Sequence, residues 1–458
     1  MDLIFSVSGL RGVVGDGLDP EHLVPFLRAF YRLTGGGRYL VGRDPRPHGP
    51  MVEHLVAGTL QALGGTVVVA GVVPTPTVLF QVARGDYAGG IVITASHNPL
   101  PWNALKFVNH QGRFLGPEAV QKMRTLLDRQ DLAPWAPWDQ VGTQIPLHQP
   151  WQAHLQVILD TLFPNGELHE QAHGVRVAVD CVQGAMSRAL PELLRRIGFE
   201  VIPLYCDGSG RFPHNPEPRR EHLDLLNRLL QARVAHLGFA SDPDGDRLVF
   251  GLAGHGVFSE EYTVPVAVEA VLRREASAGP VVVNYSTSMM VEAVAQQHGL
   301  QVLRVPVGEI HVTERLLHTG GVIGGEGNGG VIYPRINATR DGLVAAALIA
   351  RAYLEGWLAP FLKALPVYTL LKDRVPRTRP LDLDRLRQAF PEARVSTEDG
   401  VYLRFPGAWV QVRPSNTEPI YRLFVEATSP EEARRLLEQV QTLLGTQSQA
   451  KGGFHGRH

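Results

Sequence analysis

"RYLVGRDPRPHGPMVEHLVAGTLQALGGTVVVAGVV" (38–73) holds a short β-branched run, a stretch of apolar period near 3.6, a glycine stop and a second β-branched run. That order predicts strand, helix and parallel strand, the βαβ unit. The pattern occurs twice more. "VRVAVD" (175–180) leads through "RALPELLRRIGF" (188–199) to "EVIPLY" (200–205), and "PVVVNYS" (280–286) leads through "MMVEAVAQQHG" (289–299) to "QVLRVPVG" (301–308). After each copy comes an apolar strand ending in a polar loop: "GGIVITASHNP" (89–99), "AHLGFASDPDGDR" (235–247) and "GGVIGGEGNGG" (320–330). Parallel sheets gather ligands at the carboxyl ends of their strands. Three such loops on three related α/β domains, with mixed and largely parallel sheets, could therefore face one cleft.

Boundaries are expected in the Pro/Trp-rich "LAPWAPWDQVGTQIPLHQP" (132–150), near "GHGVFSEEY" (254–262) and around "LAPFLKALPVYTL" (358–370). They give α/β domains over 1–148, 149–255 and 256–365. From 366 to 445 a strand, the helix "DLDRLRQAF", strands around "YLRF", "VQVRPSNTEP" and "IYRLFVEA", and the helix "PEEARRLLEQVQTLL" predict an α+β domain. The polar, glycine-rich 446–458 reads as a disordered tail.

A chain of 458 residues with 44% apolar and 19% charged content is expected to form several globular domains. A formal net charge of -1 gives no general attraction to nucleic acid or to an anionic membrane, so any anion site is local. The amino-terminal "MDLIFSVSGLRG" lacks the pattern of a signal peptide, and no window of about twenty residues is apolar enough to span a bilayer. Cys181 and Cys206, without metal-type spacing, fit a reducing cytoplasm.

"SDPDGDR" (241–247) carries the strongest chemical signal. Asp242, Asp244 and Asp246 alternate along a turn that Gly245 permits, and three converging carboxylates suit a hard cation such as Mg2+. An EF-hand is excluded, because its sixth and twelfth positions would be Arg247 and Ala253 where glycine and glutamate are required. A plain acidic turn would leave three carboxylates repelling one another. "TASHNP" (94–99) lacks the G-x-S-x-G elbow, and extended neighbours point apart, so His97 is expected to be a poor base for Ser96. Either Ser96 caps an ordinary turn, or it carries a phosphoryl group beside the cation.

"RPSNTEP" (413–419) joins an arginine fork to hydroxyls on a turn, which can cradle a phosphate or simply connect two strands. "GGEGNGG" (324–330) contains G-x-G-x-x-G, but no helix follows and Glu326 would repel a pyrophosphate, so a dinucleotide site is rejected. A carboxylate on a glycine-rich loop suits sugar hydroxyls better. Arg11, Arg43, Arg46 and Lys106 are solvated or paired singly; together with Arg247 they could neutralise a phosphoryl group.

TASHNP, DPDGDR, GEGNGG and RPSNTEP, in this order, resemble the motifs of the α-D-phosphohexomutase family. The similarity continues through "VGRDPR", "GVVPTPT", "VAVDCVQGA", "RFPHNPEP" and "VGEIHV", up to about residue 445. It implies four domains around a central cleft, the first three of one topology. It also implies that Ser96 is a phosphoserine and that Asp242, Asp244 and Asp246 bind Mg2+, with a phosphoserine oxygen as a further ligand. Glu326 and Asn328 would contact sugar hydroxyls, and Arg413, Ser415, Asn416 and Thr417 would hold the non-reacting phosphate. Arg11, His97, Lys106 and Arg247 would surround the transferring group.

The family's usual sugar loop reads G-E-x-S-G-H, so Asn328 and Gly330 replace a serine and a histidine, and Glu309 stands where some bacterial relatives have histidine. "EGNGG" and "VGEIHV" look most like an archaeal-type branch. The expected reaction interconverts hexose 1-phosphate and hexose 6-phosphate through a hexose 1,6-bisphosphate that turns over in the cleft. Mannose or glucose phosphate is the first expectation for substrate, and glucosamine phosphate the alternative. The C-terminal domain would close over the sugar about a hinge at 358–370. A cytoplasmic enzyme of small sugar phosphates is expected, without nucleic-acid or membrane partners, as a monomer or weak homodimer. A Mg2+-dependent phosphatase and a non-catalytic sugar-phosphate binder are the rival classes.

Overall fold

The β-branched runs form the inner strands of three sheets with one shared strand order. A computed structural model describes residues 3–275, 279–415 and 419–445. Arg38–Arg43, Arg176–Asp180 and Val281–Asn284 each lie between two parallel neighbours. One neighbour follows the crossover helix: Thr66–Val72, Glu200–Leu204 or Val302–Val305. The other is the apolar strand that precedes the polar loop: Gly89–Ile93, Leu237–Ser241 or Ile323–Glu326. The chain then turns back in an antiparallel strand, Trp102–Asn109, Leu248–Leu252 or Gly330–Tyr333. The repeat expected from pattern is thus one topology used three times.

The copies differ at the fifth position. In the second and third sheets it is filled by the next segments of chain, Gly256–Val257 and Asn337–Arg340. In the first it is filled from the amino terminus, by Gly9–Val14. That substitution brings "SGLRG" beside the strand that carries Lys106. The Pro/Trp-rich segment read as a boundary also adds an edge strand, Gln144–Pro146, to the first sheet. The fourth sheet is wholly antiparallel, in the order Thr369–Pro376, Ile420–Ala427, Ala408–Pro414, Val401–Phe405, Arg394–Ser396. With the helices Leu383–Ala389 and Pro430–Leu444 it makes the expected α+β unit. The predicted tail lies outside the described residues.

The second and third sheets share one continuous core that runs from Trp151 to Leu365. Helix Gly342–Leu354 runs through it and is buried from Gly342 to Ala352, apolar but for Arg351, which pairs with Glu167 and Glu355. No single described helix is long and apolar enough to cross a membrane.

The fourth sheet docks on the third through a small aromatic seam of Tyr285, Met289, Tyr402 and Trp409. Glu426 anchors that seam. Its carboxylate accepts from Ser288 Oγ (2.5 Å), Met289 N (2.7 Å) and Trp409 Nε1 (2.7 Å), two of which belong to the third sheet's helix start. Glu426→Ala leaves three donors unpaired, which costs about 3 kcal/mol or more. The expected outcome is an earlier, separate unfolding transition for the C-terminal unit in scanning calorimetry; an unchanged thermogram would contradict it.

Candidate active site

Strand Gly89–Ile93 is buried on both faces and delivers Thr94–Asn98 to the sheet's carboxyl edge. Ser96 is 5% exposed and takes a left-handed backbone, φ 51°. Such a conformation costs on the order of 1–3 kcal/mol in a non-glycine residue and persists only when its surroundings enforce it. The enforcing group is Arg46, fully buried. It donates to the carbonyls of Ser96 (2.7 Å), Asn98 (2.6 Å), Pro99 (2.8 Å) and Trp102 (3.1 Å) and pairs with Asp44 at 3.0 Å. Asp44 also accepts from Thr94 Oγ1 at 2.6 Å, and Thr94 Oγ1 accepts from Ser96 N at 2.9 Å.

Of the two roles open to Arg43 and Arg46, pairing with a carboxylate is the one taken, while the expectation for His97 is overturned. Arg46 does not face a phosphoryl group, because its donors are spent on loop carbonyls. Arg43 likewise turns to Glu53, at 3.3 Å. The expectation that His97 points away from Ser96 fails because the backbone at Ser96 is not extended. His97 Nδ1 lies 3.4 Å from Ser96 Oγ.

Strand Leu237–Ser241 carries the acidic loop to the same place. Gly245 takes φ 75°, and a Cβ there would fall 2.6 Å from Met186 Cγ. Asp242, Asp244 and Asp246 are buried, and one ligand oxygen from each lies within 4.8 Å of the others. Asp244 Oδ1 and Asp246 Oδ1 have no hydrogen-bond partner. Buried carboxylate oxygens without donors, converging at that distance, fit a hard divalent cation. Burial, then Asp244 and Asp246, push the Asp242 carboxyl well above the usual carboxylate range. Burial works most strongly against the charge on Asp244, but Lys106, the hydrogen bond with Asp242 and Arg340 together outweigh it and hold this carboxyl below that range.

The two loops meet. Ser96 Oγ donates to Asp242 Oδ2 at 3.0 Å. Lys106 Nζ lies 2.8 Å from Asp244 Oδ2 and 4.0 Å from Asp246. Thr75 ties the helix start of "VPTPT" to the acidic loop, donating its N to Asp244 O (2.8 Å) and its Oγ1 to Asp244 Oδ2 (3.0 Å). Arg11 Nη1 reaches Asn98 Oδ1 at 3.3 Å, and Arg247 Nε stands 3.8 Å from Asp246. Arg247 first, then burial and Arg11, hold His97 well below its usual range, so its ring is neutral.

In the third sheet Glu326 is 3% exposed. Its Oε1 accepts from Asn284 Nδ2 (2.7 Å) and Gly308 N (2.9 Å), and its Oε2 pairs with Arg340 at 2.7 Å. Arg340 also reaches Asp246 Oδ2, at 2.5 Å, and so joins the third sheet to the acidic loop. Asn328 accepts from Gly330 N at 3.2 Å, closing the hairpin. On the fourth sheet Arg413 Nε lies 3.6 Å from Asp399, whose other oxygen accepts from Val307 N at 3.1 Å. Ser415 is buried, and Asn416 and Thr417 lie outside the described residues.

Ser96, His97, Lys106, Arg11, Arg247 and the three aspartates therefore form one charged cluster, which Arg340 links to Glu326. Sequence reasoning gave no role to Arg340 or Thr75, and for Arg46 it left pairing and phosphoryl contact both open. No motif spacing marks Arg340; its only signal is an arginine that precedes the very apolar "DGLVAAALIA" (341–350). Arg46→Ala leaves Asp44 charged and unpaired in the interior, at a cost of about 3–5 kcal/mol. A lowered unfolding midpoint and faster amide exchange over 94–99 are expected; an unchanged midpoint would contradict the scaffold role.

Four domain models match the chain in order. They are the phosphoglucomutase/phosphomannomutase alpha/beta/alpha domains I (2–133), II (155–253) and III (259–365) and the C-terminal domain (370–443). A Methanopyrus kandleri protein named probable phosphoglucosamine mutase is 36% identical over 449 residues, covering 96% of this chain and 97% of its own. A Thermococcus kodakarensis protein named phosphoglucomutase/phosphomannomutase is 32% identical over 451 residues, covering 96% and 97%. A crystal structure of a phosphoglucomutase/phosphomannomutase family protein from Burkholderia thailandensis superposes with a TM-score of 0.83 at 25% identity, covering 96% and 98%. Likeness of that extent over nearly the whole of both chains, with every domain in order, means that this chain belongs to the α-D-phosphohexomutase family.

Proposed function

We propose that the protein interconverts hexose 1-phosphate and hexose 6-phosphate, with Ser96 as the residue that carries the phosphoryl group. The observation that supports this most directly is the 3.0 Å contact of Ser96 Oγ with a buried carboxylate triad that has unsatisfied oxygens. Asp242, Asp244 and Asp246, with a phosphoserine oxygen, would hold Mg2+, which supplies positive charge to the phosphoryl group in transfer.

In the forward half-reaction the bond between Ser96 Oγ and phosphorus breaks as a free hydroxyl of the sugar phosphate bonds to phosphorus. The hydroxyl proton has to reach Ser96 Oγ as that oxygen leaves, and the neutral His97 Nδ1 is the group placed to carry it. Arg11, Arg247 and Lys106 stabilise the charge spread over the transferring oxygens. The resulting 1,6-bisphosphate reverses in the cleft and returns its other phosphate to Ser96. Glu326 and Asn328 orient the sugar. Arg413 and Ser415, with Asn416 and Thr417, hold the phosphate that is not reacting. The fourth sheet closes about 358–370 to exclude water, which would otherwise hydrolyse the phosphoserine.

Mannose and glucose phosphates are proposed as substrates. Glucosamine phosphate is the second reading, favoured by the name of the Methanopyrus kandleri relative. Free Cys181 and Cys206 support a reducing, cytoplasmic setting.

A panel of the three sugar 1-phosphates with Mg2+ and trace bisphosphate separates these readings and also tests for phosphatase activity. The expected outcome is sugar 6-phosphate with almost no inorganic phosphate, and one phosphoryl group on the intact chain that Ser96→Ala lacks. Arg11→Ala should lower kcat by about 10³ or more, while Arg413→Ala should mainly raise KM. Release of inorganic phosphate as the main product would overturn the mutase reading.

A further inference from the structure

Arg340 is the one residue that touches both the acidic loop and the sugar loop by ion pairing among the described residues. Its guanidinium meets three buried or nearly buried carboxylates: Asp246 at 2.5 Å, Glu326 at 2.7 Å and Glu309 at 3.3 Å. Glu309 is itself held, because it accepts from Arg340 N at 3.1 Å and from Thr339 Oγ1. The space for Arg340 comes from Gly330, where a Cβ would fall 2.3 Å from Arg340 Cδ and 3.0 Å from its Cγ. Gly330 and Glu309 are two of the positions at which this chain departs from the commoner family loops. They explain each other: the glycine makes room for the arginine, and the glutamate supplies a third counter-charge.

The charge balance gives the arrangement a consequence. Three aspartates share their negative charge with Lys106, which sits on Asp244, and with Arg340, which sits on Asp246, while Arg247 Nε lies 3.8 Å from Asp246. A divalent cation entering the triad meets a guanidinium already bonded to one of its ligands. The two repel, and they draw on one carboxylate, the guanidinium on Asp246 Oδ2 and the cation on the open Oδ1. Arg340 has somewhere to go, since Glu326 and Glu309 lie within its reach.

We infer that Arg340 is a positioning residue that competes with the divalent cation for Asp246, lowers the cation affinity of the acidic loop, and ties that affinity to the placement of Glu326. The inference rests on the acidic loop being the cation site. A guanidinium that only braced two loops would, when removed, loosen the triad and weaken cation binding. A competing guanidinium, when removed, strengthens it. The signs are opposite.

The test titrates the full chain with Mn2+ in the absence of any sugar phosphate, following free Mn2+ by electron paramagnetic resonance. Arg340→Gln is expected to bind Mn2+ about tenfold or more tightly than wild type, as the loss of a unit positive charge beside a divalent ion requires. Arg340→Lys keeps the charge and is expected to bind Mn2+ like wild type. An ammonium cannot bridge Asp246 and Glu326 as a planar fork does, so this variant should show a raised KM for sugar phosphate. Because Arg340→Gln leaves three carboxylates short of a counter-ion, the double variant Glu309→Gln/Arg340→Gln, which keeps the net charge of wild type, is compared with Glu309→Gln as the second comparison. The double variant is expected to bind Mn2+ more tightly than the single one. Equal or weaker Mn2+ binding in both comparisons would overturn the inference. Failure of wild type to bind Mn2+ at all would instead overturn the reading of the acidic loop itself.

Discussion

Three buried carboxylates, each with an oxygen within 4.8 Å of the others, are the constraint around which the site is organised. Two unit charges at that separation repel by about 3–4 kcal/mol at an effective dielectric of about 20. The fold answers by bringing cations from every side: Lys106 from the first sheet's antiparallel strand, Arg340 from the last strand of the third, and Arg247 from the loop itself. Ser96 enters the same field through its hydroxyl, which donates to Asp242. A residue in that position is surrounded by the charge that a phosphoryl group in transit needs. The electrostatics that make the acidic loop tolerable are thus the same electrostatics that suit it to phosphoryl transfer.

The repeated topology makes this convergence possible. Each of the three parallel units ends its third strand in a loop at the carboxyl edge, so three loops with different chemistry are delivered in equivalent positions. The shared core between the second and third sheets, with the helix Gly342–Leu354 through it, keeps two of those loops in fixed relation. The first sheet is joined to the acidic loop through polar contacts that include Thr75 and Lys106 on Asp244. The fourth sheet meets the third through the aromatic seam, Glu426, and polar contacts that include Lys372 on Glu260 and Glu261.

Local strain and its support are separated along the chain. Ser96 is held in a left-handed conformation by an arginine fifty residues earlier. A loop with four outward carbonyls leaves acceptors that water would satisfy at a surface, and here one buried guanidinium satisfies them. This is why Arg46, beside an obvious phosphate-like motif, serves the backbone and not the ligand.

Periodicity and turn chemistry made the three βαβ units, the α+β end and the acidic loop legible, because these depend on neighbours close in sequence. The resemblance of four short motifs extended that reading to the family and to the residues of the site. Distances across the chain were beyond it. Arg340 carries no pattern of its own, and its three carboxylate partners lie 14, 31 and 94 residues away. The backbone angle that swings His97 toward Ser96 is imposed by Arg46, whose partner carbonyls no sequence spacing announces. Sequence by itself determined which elements form and which side chains are chemically able to act. Tertiary structure alone decided which charges face one another, because a buried ion pair is set by where strands end in space and not by their separation along the chain.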